Sequence, residues 1–416
     1  MRTLVFAPVT FNLAETTRMI MIARALGPEW NAVFQVYEEP YVHLVRSAGF
    51  EVHQLGPVLS ACEQAQALAL DQGRSLRHPF SSALVRARVH AERRLLRETG
   101  AEAVVMGTNV TSLISARAES VPLFYAVPFA LTRPHVEQTR KLGLVGGEGR
   151  VHAALDEVAS AALRLAYSRL PIAPRAFRVV ARENGVQAMR TGVDLFEGDV
   201  NLLTVMASEL EGYTLPDNYV RVGPIFAELP GEVPQLVRDL AEDSRPLIYL
   251  ALGSSGDRRT ALLAARALGG LDVNVIAPIR RFLRPADIAR LPPSVHVTDL
   301  LPAHQLGGLV DAAVLHGGQG TVQTACATGV PFVGMGMQPE QTWNIAMCVR
   351  QGNAIAVSRR HAGTRHFVDA MQRLLTDRSF RSAAEKERRL HSRENGPVAA
   401  ARIIGEYLDA ARRRSC

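Results

Sequence analysis

The sequence is poor in lysine and in aromatic residues, and this bears on whether its positive charge binds nucleic acid. Only Lys141 and Lys386 are lysines among 47 basic residues, so arginine carries almost all of the net charge of +7 over 416 residues. Nucleic-acid binding favours basic clusters interleaved with aromatic residues. Here aromatic residues make up 6% of the chain and the arginines are scattered among acidic residues. We therefore expect no nucleic-acid partner.

Cysteine is also scarce, and long apolar runs are missing. Cys62, Cys326, Cys348 and Cys416 show no CxxC spacing and no nearby histidine pair, which argues against a zinc site or a disulfide framework. No stretch reaches the 18 apolar residues of a membrane-spanning helix, and Met1–Val9 is too short for the apolar core of a signal peptide. We expect a cytoplasmic protein with no transmembrane segment.

Short apolar runs alternate with helical patterns along the whole chain. The strands predicted in the first half are Thr3–Ala7, Ala32–Val36, Glu51–Gln54, Ala103–Met106, Leu123–Ala126 and Leu202–Met206. Those predicted in the second half are Leu247–Ala251, Val273–Ala277, His296–Val297, Ala312–Leu315 and Pro331–Gly334. Such alternation is typical of βαβ units around a parallel sheet, and two series of them predict an α/β protein with two Rossmann-like domains.

Composition suggests where the domains begin and end. We predict an N-terminal domain over 1–220 with an arginine-rich helical insertion at 137–200. A proline-rich linker is predicted at 221–240, because proline and glycine interrupt regular structure. The second domain is predicted over 241–395, followed by a helix at 396–416 that packs back towards the N-terminal domain.

The most informative segment of the chain lies at 314–325, where a predicted strand runs through a glycine-rich turn into a helix. The glycines of this turn are Gly317, Gly318 and Gly320. Glycines let a ligand approach the backbone closely, and the N–H groups at a helix start bind phosphate. His316 and Thr321 can add side-chain hydrogen bonds. The segment therefore predicts a diphosphate site.

A second polar pair follows the next predicted strand. Glu340 and Gln341 come after Gly329-Val330-Pro331 and the strand that this tripeptide begins. Ligands of open α/β sheets bind at the carboxyl ends of the strands, and these two side chains can bind sugar hydroxyls there. The alternative is that the pair only stabilises the start of a helix.

These segments resemble family 1 of the GT-B glycosyltransferases, whose members share His-Gly-Gly-x-Gly-Thr, Gly-x-Pro and a Glu/Asp-Gln pair. The resemblance implies two Rossmann-like domains with a deep cleft between them, the first binding the acceptor and the second a UDP- or dTDP-sugar. The implied diphosphate-binding residues are Ser254, Ser255, His316, Gly317, Gly318, Gly320 and Thr321. The implied sugar-binding residues are Glu340 and Gln341. No DxD motif is present, so we expect no metal and no other cofactor.

Two positions differ from the family pattern. Thr324 stands where the family often has a glutamate that holds the ribose, so a deoxyribose donor becomes more plausible. Leu300 and Leu301 stand near the position of an aromatic residue that stacks on the nucleobase. The implied nucleoside-binding residues are therefore Leu300, Leu301 and Thr324, and the choice between UDP and dTDP stays open.

The family pattern also has a catalytic histidine in the first strand–helix turn, held by an aspartate. Glu15 occupies the histidine position here, and Thr108 and Asn109 occupy that of the aspartate. A buried carboxylate can act as a general base, so Glu15 is the leading candidate, although a glutamate in a first helical turn also suits the helix dipole. His135 is the second candidate base, with an ordinary surface histidine as the alternative. Predicted acceptor-binding residues are Phe11, Asn12, Thr108, Asn109 and Phe129.

These observations predict a metal-independent, inverting glycosyltransferase of the hexosyltransferase type. A retaining mechanism is disfavoured because Phe332 stands where retaining GT-B enzymes have a second acid. The expected acceptor is a hydroxyl or similar nucleophile of a small natural product, and the expected assembly is a monomer or homodimer. Two alternatives are an epimerase or hydrolase of the same fold and a non-catalytic protein that binds sugar nucleotides.

Overall fold

The computed structural model describes residues 1–37, 40–71, 78–145, 149–171, 173–187 and 189–415. The chain divides into two compact units. Unit 1 comprises Met1–Leu142, Ala153–Ile225 and Asn395–Cys416. Unit 2 comprises Gly143–His152 and Phe226–Glu394. No helix in the described part of the chain is long and apolar enough to cross a membrane.

Unit 1 is built around a seven-stranded parallel sheet. Its strands are β1 (Arg2–Ala7), β2 (Trp30–Val36), β3 (Glu51–Gln54), β4 (Ala101–Met106), β5 (Leu123–Val127), β6 (Val200–Leu203) and β7 (Tyr219–Arg221). Its first helices are α1 (Leu13–Arg24), α2 (Val42–Ser47), α3 (Ala61–Asp71), α4 (Ser82–Thr99), α5 (Thr111–Ala118), α6 (Arg133–Gln138), α7 (Arg150–Arg164) and α8 (Arg175–Glu183). The strand order is β3-β2-β1-β4-β5-β6-β7.

Unit 2 contains a six-stranded parallel sheet. Its strands are β8 (Leu247–Ala251), β9 (Asn274–Ala277), β10 (Val295–Val297), β11 (Ala312–Leu315), β12 (Phe332–Gly334) and β13 (Ala354–Ala356). Its helices are α9 (Gln235–Ala241), α10 (Arg258–Leu268), α11 (Pro285–Ile288), α12 (Gln319–Thr328), α13 (Pro339–Gln351), α14 (Arg365–Thr376) and α15 (Arg378–His391). The strand order is β10-β9-β8-β11-β12-β13.

The last helix, α16 (Gly396–Ser415), belongs to unit 1 although it follows unit 2 in the chain. Its Ala400, Ile404 and Leu408 are buried in the same hydrophobic core as Phe34 and Phe124 of the sheet. The core of unit 1 therefore combines residues from both ends of the sequence.

Each sheet reverses its strand order at one point, and this positions the candidate site residues of that unit. In unit 1 the reversal lies between β1 and β4, and in unit 2 it lies between β8 and β11. The loops that leave neighbouring strands diverge at such a point and open a crevice at their carboxyl ends, where ligands of this fold class bind. In unit 1 the segments after these strands carry Thr108 and, at the start of α1, Glu15, and in unit 2 they carry Ser255 and His316.

Several sequence predictions need correction. The strand predicted at Leu202–Met206 is β6 and ends at Leu203, and the three-residue strands β7 and β13 were not predicted. The predicted linker at 221–240 overlaps α9, whose Val237 and Leu240 enter the core of unit 2. The prolines of this stretch predict a linker, but Pro234 directly precedes the first residue of α9, and proline is well tolerated at a helix start.

Three of the four cysteines lie in the described part of the chain. Cys62, Cys326 and Cys348 are not joined in disulfides. The Sγ atoms of Cys326 and Cys348 are 3.8 Å apart, which is far beyond a sulfur–sulfur bond. Cys416 lies outside the described residues.

Candidate active site

The glycine-rich turn of unit 2 joins β11 to α12 in a conformation that requires glycine. Gly317 has a φ of +87°, and a Cβ at this position would lie 2.7 Å from the carbonyl oxygen of Gln341. The N–H groups of Thr321 and Val322 both donate to the carbonyl of Gly318, at 3.0 and 3.1 Å. The start of α12 thus lies directly after the turn, and the first N–H groups of a helix point out of its start towards any anion bound there.

The imidazole of His316 packs against two glycines of this site. A Cβ on Gly253 would lie 2.9 Å from Nδ1 of His316, and a Cβ on Gly318 would lie 3.1 Å from its Cε1. The residue is 6% exposed, and burial lowers its pKa to about 4, so the ring is neutral at pH 7. Its buried Nδ1 has no hydrogen-bond partner among the described residues. A neutral imidazole has one N–H to donate, which suits a phosphate oxygen.

Gln341 ties two loops of unit 2 together. Its Nε2 donates to Oγ of Ser255 at 2.9 Å and to Oε1 of Gln338 at 2.7 Å, and its Oε1 accepts the N–H of Met337 at 3.0 Å. The predicted sugar-binding Gln341 therefore also positions the predicted phosphate-binding Ser255. Ser254, its neighbour, is exposed.

Asn344 orients Glu340, and the sequence analysis assigned it no role. Its buried Nδ2 donates to the carbonyl of Gly317 at 2.9 Å and to Oε1 of Glu340 at 2.5 Å. The amide thus links the glycine-rich turn to the predicted sugar-binding carboxylate. The signal was present in the sequence, because residues four apart in a helix lie on one face and Asn344 follows Glu340 by four.

In unit 1, Glu15 crosses from the start of α1 to the loop after β4. Its Oε1 accepts the N–H groups of Val9 and Thr108, at 2.6 and 3.0 Å, and its Oε2 accepts the hydroxyl of Thr108 at 2.7 Å. Gly107 makes room for this crossing, because a Cβ there would collide with the Glu15 carboxylate. Burial raises the pKa of Glu15, and the three donors together with Arg18 oppose that rise. The structure thus brings together the predicted Glu15 and Thr108.

Known proteins are similar to this chain over most of its length. The family described as "Erythromycin biosynthesis protein CIII-like, C-terminal domain" matches residues 261–404. A "PGL/p-HBAD biosynthesis glycosyltransferase" of Mycobacterium tuberculosis is 26% identical over 397 residues, which cover 92% of this chain and 87% of the relative. The spinosyn forosaminyltransferase SpnP has the same fold, with a TM-score of 0.70, 16% identity and coverage of 98% and 99% of the two chains. The glycosyltransferase VinC, solved in complex with dTDP, gives a TM-score of 0.69, 18% identity and coverage of 99% and 100%.

The chain is a glycosyltransferase with the GT-B fold. The relatives that match almost the whole length of the chain are glycosyltransferases. The two parallel sheets of the chain are the sheets of the GT-B fold.

The predicted nucleoside-binding residues of this glycosyltransferase differ in exposure. Leu300 is 53% exposed, whereas Leu301 is 5% exposed and packs in a core of unit 2. Thr324 is buried, and its hydroxyl donates to the carbonyl of Gly320 at 2.7 Å. The side chain of Leu300 is therefore open to solvent, that of Leu301 is not, and the Thr324 hydroxyl already has an acceptor.

Asn109 is held inside the glycosyltransferase by a buried carboxylate that the sequence analysis missed. Its Nδ2 donates to Oε1 of Glu92 at 3.4 Å and to Oγ of Ser112 at 3.1 Å, and its Oδ1 accepts the Thr111 hydroxyl at 3.1 Å. Glu92 is fully buried. Its carboxylate also accepts hydrogen bonds from the hydroxyls of Tyr37, Thr111 and Ser115. The buried face of α4 recurs at helical spacing, and that spacing was the signal available in the sequence.

His135 lies on α6 and is buried, so the alternative of an ordinary surface histidine is wrong. Its ring centroid is 5.4 Å from that of Phe129, and its Nδ1 lies 3.2 Å from Oγ1 of Thr139. Burial lowers its pKa to about 4, which makes it a weak base at neutral pH. Phe129 is also fully buried, while Phe11 and Asn12 are half-buried.

Two further observations concern the remaining predictions. Asn12 caps α1, because its side chain accepts the N–H groups of Ala14 and Glu15 at 3.1 and 3.3 Å. Within the described residues, no group of three or more His, Cys, Asp or Glu side chains is arranged to hold a metal ion.

Proposed function

We propose that this glycosyltransferase moves a sugar from a nucleoside diphosphate sugar to a hydroxyl of a small natural-product acceptor, with inversion at the anomeric carbon and without a metal ion. The observation that carries the proposal is the turn between β11 and α12. It combines a required glycine at Gly317, a neutral buried imidazole at His316 and a helix start at the point where the sheet order reverses.

The turn would stabilise the leaving diphosphate. When the bond between the anomeric carbon and the phosphate oxygen breaks, negative charge collects on the diphosphate. Fixed N–H donors aimed at that charge lower the barrier, and a helix start adds a favourable dipole. In this proposal the N–H groups at the start of α12 and the N–H of His316 serve the role that a divalent cation serves in other transferases.

Glu340 would orient the transferred sugar. Its carboxylate is half-buried at the start of α13, and Asn344 and the Gly317 carbonyl connect it to the diphosphate turn. A carboxylate can accept hydrogen bonds from two sugar hydroxyls. In this proposal, the Asn344 bridge keeps the sugar and the diphosphate in register.

We further propose dTDP as the donor nucleotide. Thr324 replaces the glutamate that would hold a ribose, and its hydroxyl is already committed to the carbonyl of Gly320. A donor without a 2′-hydroxyl therefore leaves no unpaired group at this position. The solved complex of VinC with dTDP supports the same choice.

A nucleotide screen tests the donor site. Thermal unfolding is measured with UDP, dTDP, GDP and ADP, because a ligand at 100 times its dissociation constant adds about 2.7 kcal/mol of stability. We expect dTDP to raise the melting temperature most, and His316→Ala to remove most of that increase. Equal shifts with all four nucleotides would contradict the proposed selectivity.

A product assay then tests the reaction. The enzyme is incubated with dTDP-sugars, with and without hydroxyl-bearing acceptors, and the anomeric configuration of the product is determined by NMR. We expect sugar transfer only when an acceptor is present. Consumption of the donor without any acceptor would instead favour the epimerase or hydrolase alternative.

A further inference from the structure

The two oxygens of the Glu15 carboxylate have different surroundings. Oε1 accepts two backbone N–H groups, from Val9 and Thr108, and these bonds fix the carboxylate in place. Oε2 accepts the hydroxyl of Thr108 at 2.7 Å. A carboxylate oxygen has two lone pairs, so Oε2 has the capacity to take up a proton.

Glu15 and Thr108 also differ in their exposure. Glu15 is 3% exposed, whereas Thr108 is half-buried and directly follows the glycine at the carboxyl end of β4. Gly107 leaves room for the buried carboxylate, and the hydroxyl of the more exposed Thr108 donates to it. The Thr108 hydroxyl is therefore the better placed of the two groups to meet a bound acceptor.

We infer that Thr108 contacts the acceptor hydroxyl and passes its proton to Glu15. The inference rests on the proposed glycosyl transfer and names the residues that deprotonate the acceptor. A threonine hydroxyl can donate one hydrogen bond and accept two, so Thr108 can donate to Glu15 while it accepts from the acceptor.

The atoms and electrons of the step balance as follows. The acceptor oxygen forms a bond to the anomeric carbon, and the bond from that carbon to the diphosphate oxygen breaks with its electron pair on the diphosphate. The acceptor proton moves to Oγ1 of Thr108 while the Thr108 proton moves to Oε2 of Glu15. After the product leaves, Glu15 returns its proton through the Thr108 hydroxyl to water.

The surroundings of Glu15 suit a carboxylate that gains and loses a proton. Burial raises its pKa, which brings a carboxyl group closer to the working range of a general base. Two other groups act on Glu15. Arg18 of α1 opposes the rise of its pKa, and Tyr125 of β5 is itself so buried that its pKa is raised well above the usual value. Tyr125 therefore stays neutral, and Glu15 is the titrating group of this cluster.

Three variants test the relay. Thr108→Val keeps the shape and the backbone N–H bond but removes the hydroxyl, and Thr108→Ser keeps the hydroxyl. Glu15→Gln keeps a side chain of the same shape but cannot accept the proton. We expect kcat to fall by roughly 100-fold or more in Thr108→Val and Glu15→Gln, the scale of general base catalysis, and to stay within a few fold in Thr108→Ser.

Three readouts separate the relay from a structural role. The melting-temperature shift produced by dTDP should be unchanged in all three variants, because the donor residues lie in unit 2. The double variant Glu15→Gln/Thr108→Val should be no slower than either single variant, because residues that act as one unit are not additive. The acid limb of the kcat profile, where Glu15 becomes protonated, should be present in the wild type and absent from Glu15→Gln.

Thr17→Val is the matched control, since this buried α1 hydroxyl donates to the carbonyl of Leu13 and its loss should leave kcat within twofold. If Thr108→Val or a folded Glu15→Gln has the kcat of the wild type, the relay is overturned. Sugar transfer by the wild type would still support the proposed function. A wild-type enzyme that transfers no sugar from any nucleotide donor would overturn both.

Discussion

Gly107→Ala tests how firmly the Glu15 carboxylate holds the loop after β4. A methyl group at this position would lie 2.6 Å from Cγ of Glu15 and closer still to its carboxylate, whereas ordinary contacts are about 3.5–4 Å. The carboxylate would have to move and would lose bonds to Val9 and Thr108. Hydrogen bonds to a charged group contribute about 1.5–3 kcal/mol each, so the loss of two predicts a destabilisation of roughly 3–6 kcal/mol.

The chain offers a clean spectroscopic assay for this change. Its two tryptophans are Trp30 in unit 1 and Trp343 in unit 2, so a Trp343→Phe background leaves Trp30 as the fluorescent reporter of unit 1. In that background, Gly107→Ala should lower the melting temperature by roughly 10 °C, because 1 kcal/mol corresponds to about 2–4 °C in a unit of this size. Urea unfolding followed at the same fluorescence gives the free energy directly.

A double-mutant cycle identifies the cause of the loss. In a Glu15→Ala background the added methyl meets no carboxylate, so Gly107→Ala should cost less than about 1 kcal/mol there. Gly405→Ala is the matched control, because a Cβ at this position of α16 meets nothing within 4 Å and should stabilise the helix by about 0.5–1 kcal/mol. The reasoning fails if Gly107→Ala is neutral, or if it costs the same with and without Glu15.

Three further predictions concern other parts of the two units. His316→Ala should weaken dTDP binding at least tenfold by calorimetry, about 1.4 kcal/mol, and unchanged affinity would remove His316 from the donor site. Asn344→Leu should leave the Gly317 carbonyl unpaired, lower the stability of unit 2 by about 1–3 kcal/mol in urea unfolding and weaken the dTDP shift; full stability would contradict the bridge. The third concerns His135. Burial lowers the pKa of this histidine to about 4, so between pH 6.5 and 4 the unfolded chain binds a proton that the folded chain excludes. As the pH is lowered from 6.5 to 4, the free energy of unfolding should therefore fall by up to about 3 kcal/mol. Urea unfolding of His135→Phe should show a smaller fall than the wild type.

Much of the fold could be predicted because buried parallel strands are continuous apolar runs. The strands Leu247–Ala251 and Ala312–Leu315 were predicted with their observed bounds. The strands β7 and β13 were missed because each has three residues, and so short a run carries little pattern. The end of β6 was missed because the apolar residues that follow it, Val205 and Met206, are buried without being part of the strand.

The donor half of the site could also be predicted from the sequence, because its residues lie in one local turn and the start of one helix. The pairing of Glu15 with Thr108 was implied only by the family pattern, because the two residues are distant in sequence and meet through the neighbouring strands β1 and β4. The individual hydrogen bonds of Glu15 could not be predicted. Glu92 was missed for a related reason. It lies in an α4 sequence rich in arginine and glutamate, a composition that indicates a solvated helix, and the packing of α4 on α5 is what turns it inward.

The position of α16 has a consequence for protein synthesis. The ribosome makes β1–β7 first, then all of unit 2, and only afterwards the helix whose Ala400, Ile404 and Leu408 complete the core of unit 1. While unit 2 is being translated, the apolar face beneath α1 and the sheet is without this cover. Unit 2 is a contiguous stretch from Phe226 to Glu394 apart from Gly143–His152, so it can collapse before unit 1 is finished. The first unit to be translated is thus the last to be completed.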